Sequence, residues 1–111
     1  MGKLIIKKTF LNGLYEIQPV IHEDSRGSFS RVFCQDELSE IFKNNKIKQV
    51  NHSVTSKKGT VRGMHFQYAP DCEIKLVKCI KGKVWDVVVD IRKKSPTFLE
   101  WHAVELSSKN K

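Results

Sequence analysis

The stretch from Ile74 to Ile91 constrains this chain more than any other. Ile74-Lys75-Leu76-Val77-Lys78-Cys79-Ile80 and Lys83-Val84-Trp85-Asp86-Val87-Val88-Val89-Asp90-Ile91 are dense in β-branched and aromatic residues, with Lys81-Gly82 between them. Such residues suit a pleated surface, and a glycine-bearing two-residue break is the shortest hairpin connection, so the stretch predicts two antiparallel strands. A lone hairpin is barely stable in water, and further strands have to cover it. The sequence offers them. Apolar Leu4, Ile5, Ile6 and Phe10 set among lysines predict an edge strand whose charge discourages stray pairing. Asn12-Gly13 marks a turn, Leu14 to Gln18 resumes extended character up to Pro19, and Val20-Ile21-His22 leads into the polar turn Glu23-Asp24-Ser25-Arg26-Gly27. From Ser28 onward Phe29, Arg31 and Phe33 alternate with Ser30 and Val32, as a strand requires. Val50 to Val54, Thr60 to Tyr68 and Phe98 to Leu106 complete the set.

Only one segment changes period. Leu38, Ile41 and Phe42 stand at i, i+3 and i+4, Asp36 is placed to cap the start, and lysines follow, which predicts one short helix near residues 36–44. Many short strands with one helix indicate an all-β sandwich or barrel. At 111 residues, residues 1–111 are expected to form a single domain.

Composition narrows the partners. An apolar share of 40% argues against a wholly disordered chain, and no apolar run approaches the roughly 18–20 residues that cross a bilayer, so a soluble cytoplasmic protein with no membrane partner is expected. Twenty Lys plus Arg against twelve Asp plus Glu give +8, which favours an anionic partner. The cations are scattered, without the aromatic interleaving of a nucleic-acid platform, so an anionic metabolite is preferred to nucleic acid. Cys34, Cys72 and Cys79 lack a CxxC or a paired spacing and read as buried or incidental thiols.

The chemistry concentrates in Gly59-Thr60-Val61-Arg62-Gly63-Met64-His65-Phe66-Gln67. His65 and Gln67 alternate onto one face with Gly63, which has no side chain to block a ligand, so that face can floor a pocket. A structural strand histidine is the commoner case. Lys75 shares a face with Val77 and Cys79, where it requires an anionic partner or a wet cavity, or else lies at an edge with its ammonium in water. Gln49 and Asn51 alternate with Val50 and present a polar face, which structural hydrogen bonding explains equally well. Gly59, five residues and His65 match the opening of the metal motif of cupin-type barrels, but Gln67 stands where a second histidine would ligate and Glu73 is the one further candidate, so no metal is expected.

Taken together, Asp24-Ser25-Arg26-Gly27-Ser28-Phe29, Gln49-Val50-Asn51-His52-Ser53, Val61 to Gln67, Lys75-Leu76-Val77 and Gly82 to Arg92 through Ser95-Pro96-Thr97-Phe98 resemble the nucleotide-sugar 3,5-epimerase family, in particular the dTDP-4-dehydrorhamnose 3,5-epimerases. The order and spacing are family-like over nearly the whole chain. The resemblance implies a jelly-roll, cupin-like β-sandwich, a homodimer, a nucleotide-sugar substrate and no metal or organic cofactor. It assigns His65 as general base, Lys75 as the cation beside the substrate's keto oxygen, and Arg62, Gln49 and Asn51 as polar substrate contacts. Phe29 and Gln67 join that substrate-binding set, and Arg26 corresponds to a nucleotide-phosphate contact reaching across the dimer.

These residue types suit the reaction that the resemblance implies, epimerisation of a dTDP-4-keto-6-deoxyhexose. Hydrogens on C3 and C5 flank the ketone, and removing either places charge on oxygen as an enolate. An imidazole with an ordinary pKa of about 6.5 can take the proton, and an ammonium can stabilise the oxygen. Two departures from the family stand out. Arg31 occupies a place where an acid is common, and the family continues past the position of Lys111 with a tyrosine acid, a second histidine motif and an aspartate that orients the base. Tyr15 and Tyr68 lie elsewhere and read as packing or surface residues. The chain is therefore expected to be incomplete relative to the family. An epimerase leads; a non-catalytic nucleotide-sugar-binding or assembly module and a sugar 3,4-ketoisomerase are the alternatives.

Overall fold

A computed structural model of the protein describes residues 3–69 and 72–110. Its elements are β1 (Leu4–Lys8), β2 (Tyr15–Pro19), β3 (His22–Asp24), β4 (Gly27–Phe29), α1 (Ser39–Phe42), β5 (Lys83–Val89) and β6 (Trp101–Ser107). The strands form three antiparallel pairs, β1 with β2, β3 with β4, and β5 with β6.

The first two pairs follow the turn chemistry. β1 and β2 run in register from Leu4 opposite Pro19 to Lys8 opposite Tyr15. Their loop closes through Thr9 N–H to the Leu14 carbonyl at 3.2 Å and Leu14 N–H to the Leu11 carbonyl at 3.1 Å. Gly13 takes φ +92° there, a region that costs a side chain dearly. In the second pair Asp24 faces Gly27 across Ser25-Arg26, and the Asp24 carboxylate accepts the Arg26 N–H at 2.8 Å, an Asx turn. The alternation from Ser28 yields strand only to Phe29, and residues 30–34 carry none.

The expected hairpin between Ile74–Ile80 and Lys83–Ile91 does not form. Residues 74–80 carry no strand, and β5 pairs instead with β6, from Lys83 opposite Ser107 to Val89 opposite Trp101. The reason is local. Gly82, at φ +76°, offers its carbonyl to Ser108 N–H at 3.1 Å and so extends the β5–β6 pair rather than turning back to Ile80. At the other end Asp90 fixes the return. Its side chain is 1% exposed, and its carboxylate accepts Arg92 backbone N–H at 3.0 Å, the Nε and Nη2 of the Arg92 guanidinium at 2.9 and 3.0 Å, and the Ser95 and Thr97 hydroxyls at 2.6 Å each. The Asp90 backbone meets Leu99 and Glu100, at 2.6 and 2.9 Å, where β6 begins.

The helix is one turn long and starts later than its sequence pattern suggests. Asp36 gives no side-chain cap; its carbonyl accepts Ser39 N–H at 3.3 Å. What holds the segment is packing. Leu38 and Phe42, four residues apart and so on one face, are buried against Leu4, with Ile6, Ile17, Cys34 and Ile41 around them. Glu37 fastens the same contact by accepting Leu4 N–H at 3.1 Å and the Arg31 guanidinium at 2.7 Å. These bonds hold the Glu37 carboxyl below the usual glutamate range, the arginine contributing most. All three cysteines are free thiols: Cys34 is half-buried at the margin of this cluster, Cys79 is half-buried and Cys72 is exposed.

That core is small for the chain. A radius of gyration of 15.5 Å exceeds the roughly 13 Å of a compact domain of this length. Val50, Val61 and Tyr68 are 86%, 89% and 79% exposed. Leu38→Ala is expected to remove about 2–4 kcal/mol, read by urea unfolding, because Leu38 has no exposed surface and its neighbours cannot all collapse onto an alanine. Asp90, held far below its ordinary range first by Arg92 and then by the two hydroxyls, contributes stability that is full above the unfolded aspartate pKa of about 4 and is lost progressively as pH falls below it. Asp90→Asn is therefore expected to lower the melting temperature at pH 7 and to flatten its decline between pH 4 and pH 2.

Candidate functional site

Six of the eight residues singled out from the sequence, Gln49, Asn51, Arg62, His65, Gln67 and Lys75, lie on the run between α1 and β5 that carries no strand. Arg26 and Phe29 lie on the β3–β4 pair. All eight are exposed. Among the described residues no hydrogen bond or ion pair joins one of them to another.

Each charged group instead has a partner of its own. The Lys75 ammonium lies 3.3 Å from Glu73, both side chains about half exposed. A spacing of two residues puts the carboxylate on the same side of an extended chain as the ammonium, which answers the sequence requirement for an anionic partner. Arg62 donates to the Thr55 hydroxyl at 3.2 Å and to the Val54 carbonyl at 3.5 Å. This cross-link between residues 54–55 and 62 orients the guanidinium, and no sequence motif points to it. Arg26 forks onto Asp24 at 2.6 and 3.2 Å. The pair raises the arginine's pKa and lowers the aspartate's. It also stiffens the β3–β4 turn and aims a cation outward.

His65 depends on Gly63. The glycine sits at φ +103°, where a side chain would be strained, and a Cβ there would lie 3.5 Å from His65 Nδ1. The ring thus lies over a bare stretch of backbone, as alternation along this segment predicts. Phe66 and Tyr68 stack edge to face with centroids 4.9 Å apart, which makes Tyr68 a surface packing residue, as expected.

The better-formed hollows lie elsewhere. The larger, about 230 Å³, is lined by Phe33, Gln35, Phe42, Asn45, Lys46 and Ile47, and a smaller one of about 70 Å³ follows the β1–β2 loop. Among the described residues no three His, Cys, Asp or Glu side chains gather in a metal-binding group, and no helix is long and apolar enough to cross a membrane. Arg31, noted as a departure, pairs with Glu37 at 2.7 Å and so serves the core. Asp90 serves the β5–β6 return.

Comparison with known proteins supplies the frame for these residues. The family model described as dTDP-4-dehydrorhamnose 3,5-epimerase matches residues 8–111. A Salmonella typhimurium protein named dTDP-4-dehydrorhamnose 3,5-epimerase is 41% identical over 97% of this chain and 59% of its own length, and a Mycobacterium tuberculosis protein of the same name is 44% identical over 89% and 49%. Among solved structures, a Legionella pneumophila dTDP-6-deoxy-D-glucose-3,5-epimerase in complex with dTDP-4-keto-L-rhamnose superposes with a TM-score of 0.87 at 39% identity, covering 98% of this chain and 57% of that one. A Bacillus anthracis dTDP-4-dehydrorhamnose 3,5-epimerase with TDP and pyrophosphate bound gives 0.87 at 34% identity, over 99% and 62%. The fold is that of these structures, the all-β, cupin-like architecture expected from the sequence. The chain spans about three fifths of the length of the Salmonella relative.

An exposed pair such as Lys75 with Glu73 adds little to stability, so Glu73→Gln is expected to change the unfolding free energy by less than about 1 kcal/mol in urea titration.

Proposed function

The chain belongs to the dTDP-4-dehydrorhamnose 3,5-epimerase family, and on that premise we propose that it carries the base-bearing part of a site that epimerises a dTDP-4-keto-6-deoxyhexose at C3 and C5. The observation that carries this reading is the likeness to the Legionella pneumophila structure, which holds a dTDP-4-keto sugar and covers 98% of this chain. A sugar 3,4-ketoisomerase is set aside because the matching family model and these relatives are 3,5-epimerases.

In this reading His65 takes the proton from C5 or C3. The ketone makes those hydrogens acidic by delocalising the charge onto oxygen, so no metal or organic cofactor is assigned a step. Lys75 exchanges its contact with Glu73 for the keto oxygen, where its positive charge meets the negative charge that develops in the transition state. A loosely held carboxylate is a suitable placeholder, since it keeps the ammonium charged and is cheaply displaced.

Arg62, oriented by Thr55, and Arg26, carried on the β3–β4 turn, bind the diphosphate, for which a guanidinium fork is well matched. Gln49, Asn51 and Gln67 hydrogen-bond sugar hydroxyls, and Phe29 offers an aromatic face to the base. Inversion requires a second group that returns the proton from the opposite face of the ring. The same reading makes the protein a cytoplasmic homodimer in which Arg26 serves the partner's substrate.

The test is solvent exchange. Incubation with a dTDP-4-keto-6-deoxyhexose in deuterium oxide is expected to place deuterium at C3 or C5, read by NMR, and His65→Ala is expected to slow this by about 10²-fold or more. Lys75→Met should slow exchange while leaving binding close to that of the parent. Binding by calorimetry without any exchange would overturn the catalytic reading and leave a nucleotide-sugar-binding module.

A further inference from the structure

A guanidinium carries its N–H donors in a rigid plane with two forks, a side fork of Nε with Nη2 and an end fork of Nη1 with Nη2, and either can hold two oxygens of an anion. The free fork decides how an anion can approach. In Arg62 the side fork is occupied, because Nε donates to the Thr55 hydroxyl oxygen at 3.2 Å and Nη2 to the Val54 carbonyl at 3.5 Å. The end fork has no partner among the described residues, and the side chain is exposed. The backbone beneath the contact is a closed reversal. Thr60 gives both its N–H, at 3.4 Å, and its hydroxyl, at 2.7 Å, to the Lys57 carbonyl, and Gly59 turns the chain at φ +81°. Arg62 reaches back across this reversal to a hydroxyl seven residues away. Arg26 is held in the same manner, with Nε and Nη2 on one Asp24 oxygen at 3.2 and 2.6 Å. Both arginines assigned to the diphosphate thus keep the end fork for it.

We propose that Thr55 is a positioning residue for diphosphate recognition: by occupying the side fork of Arg62 it commits the guanidinium to meet the ligand end-on, through Nη1 and Nη2. This rests on the reading of Arg62 as a diphosphate contact and adds a residue that acts only through the arginine. A free arginine has several torsions to order when it binds, and the bond to Thr55 restricts them before the ligand arrives. The Val54 carbonyl is the weaker anchor, since at 3.5 Å it lies at the limit of a hydrogen bond. The hydroxyl therefore sets the direction, and a side chain of similar shape without an oxygen loses it.

The experiment compares the 111-residue chain with its Thr55→Val and Thr55→Ser variants. Nitrogen-15 NMR of the ligand-free proteins reads the Nε–H of Arg62, identified by its loss in Arg62→Lys. Its exchange with water is expected to quicken in Thr55→Val and to stay near the parent rate in Thr55→Ser. Calorimetry with TDP, which supplies the diphosphate without the sugar, is expected to show binding weakened roughly tenfold by Thr55→Val and changed by less than about twofold by Thr55→Ser. On addition of TDP to the parent the Nη resonances of Arg62 are expected to move more than its Nε resonance. The proposal is overturned by an Nε–H that exchanges alike in parent and Thr55→Val, by equal TDP affinity in those two proteins, by a serine variant as weak as the valine one, or by a TDP shift centred on Nε. A parent that binds TDP as well as Thr55→Val does removes the role of Thr55 alone. A parent that binds no TDP removes it together with the diphosphate role of Arg62, and the proton chemistry of His65 is read separately by deuterium exchange.

Discussion

The carboxylate of Asp90 decides how the second half of the chain is arranged. It accepts hydrogen bonds from five donor atoms contributed by Arg92, Ser95 and Thr97, and its own backbone meets the residues just before β6. Hydrogen bonds to a charged acceptor are the strong ones, and this one has little water to compete with. The loop from residue 90 to 100 is thereby shaped so that β6 returns beside β5. β6 takes one edge of β5, and Ile74–Ile80 forms no strand against the other, so the segment that carries Lys75 lies outside the ladder.

The molecule is consequently uneven. The three strand pairs and the Leu4, Leu38 and Phe42 cluster are held by ladder hydrogen bonds and packing, whereas the described residues of the run with the proposed base and cation carry no strand. This matters for the chemistry more than for the fold. Charges act weakly on one another in water, and an ammonium stabilises a developing enolate well only where solvent is excluded and the charge is held in place. Half-exposed Lys75 on Glu73 is a cation in reserve. Arg62 is further along, since Thr55 already fixes its direction.

Much of this was legible in the sequence, and the failures have one cause. The turns at Asn12-Gly13 and at Ser25-Arg26 and the Leu38 and Phe42 face are local, set by residues a few positions apart. The epimerase likeness rests on the order of many short motifs, which a single sequence also displays. Local propensity identified Ile74–Ile80 as strand-like but could not say what it would pair with, because strand pairing depends on distant competitors. The same limit hid Glu73 and Thr55. Glu73 read only as a weak metal ligand, although its spacing from Lys75 was visible. Thr55 carried no signal, since its bond to Arg62 depends on how the chain bends between them. Asp36 had the right chemistry for a cap, but the packing of Leu38 on Leu4 set where the helical turn begins.

One contact bears on how such a chain is made. His102 in β6 meets the Glu16 carboxylate of β2 at 3.0 Å, and its ring stands edge to face against Phe10 in the β1–β2 loop. Eighty-six residues separate the two halves of that contact. On the ribosome the β1–β2 hairpin can close as soon as it emerges, but its outer face waits for β6, 86 residues further along, before the contact can form.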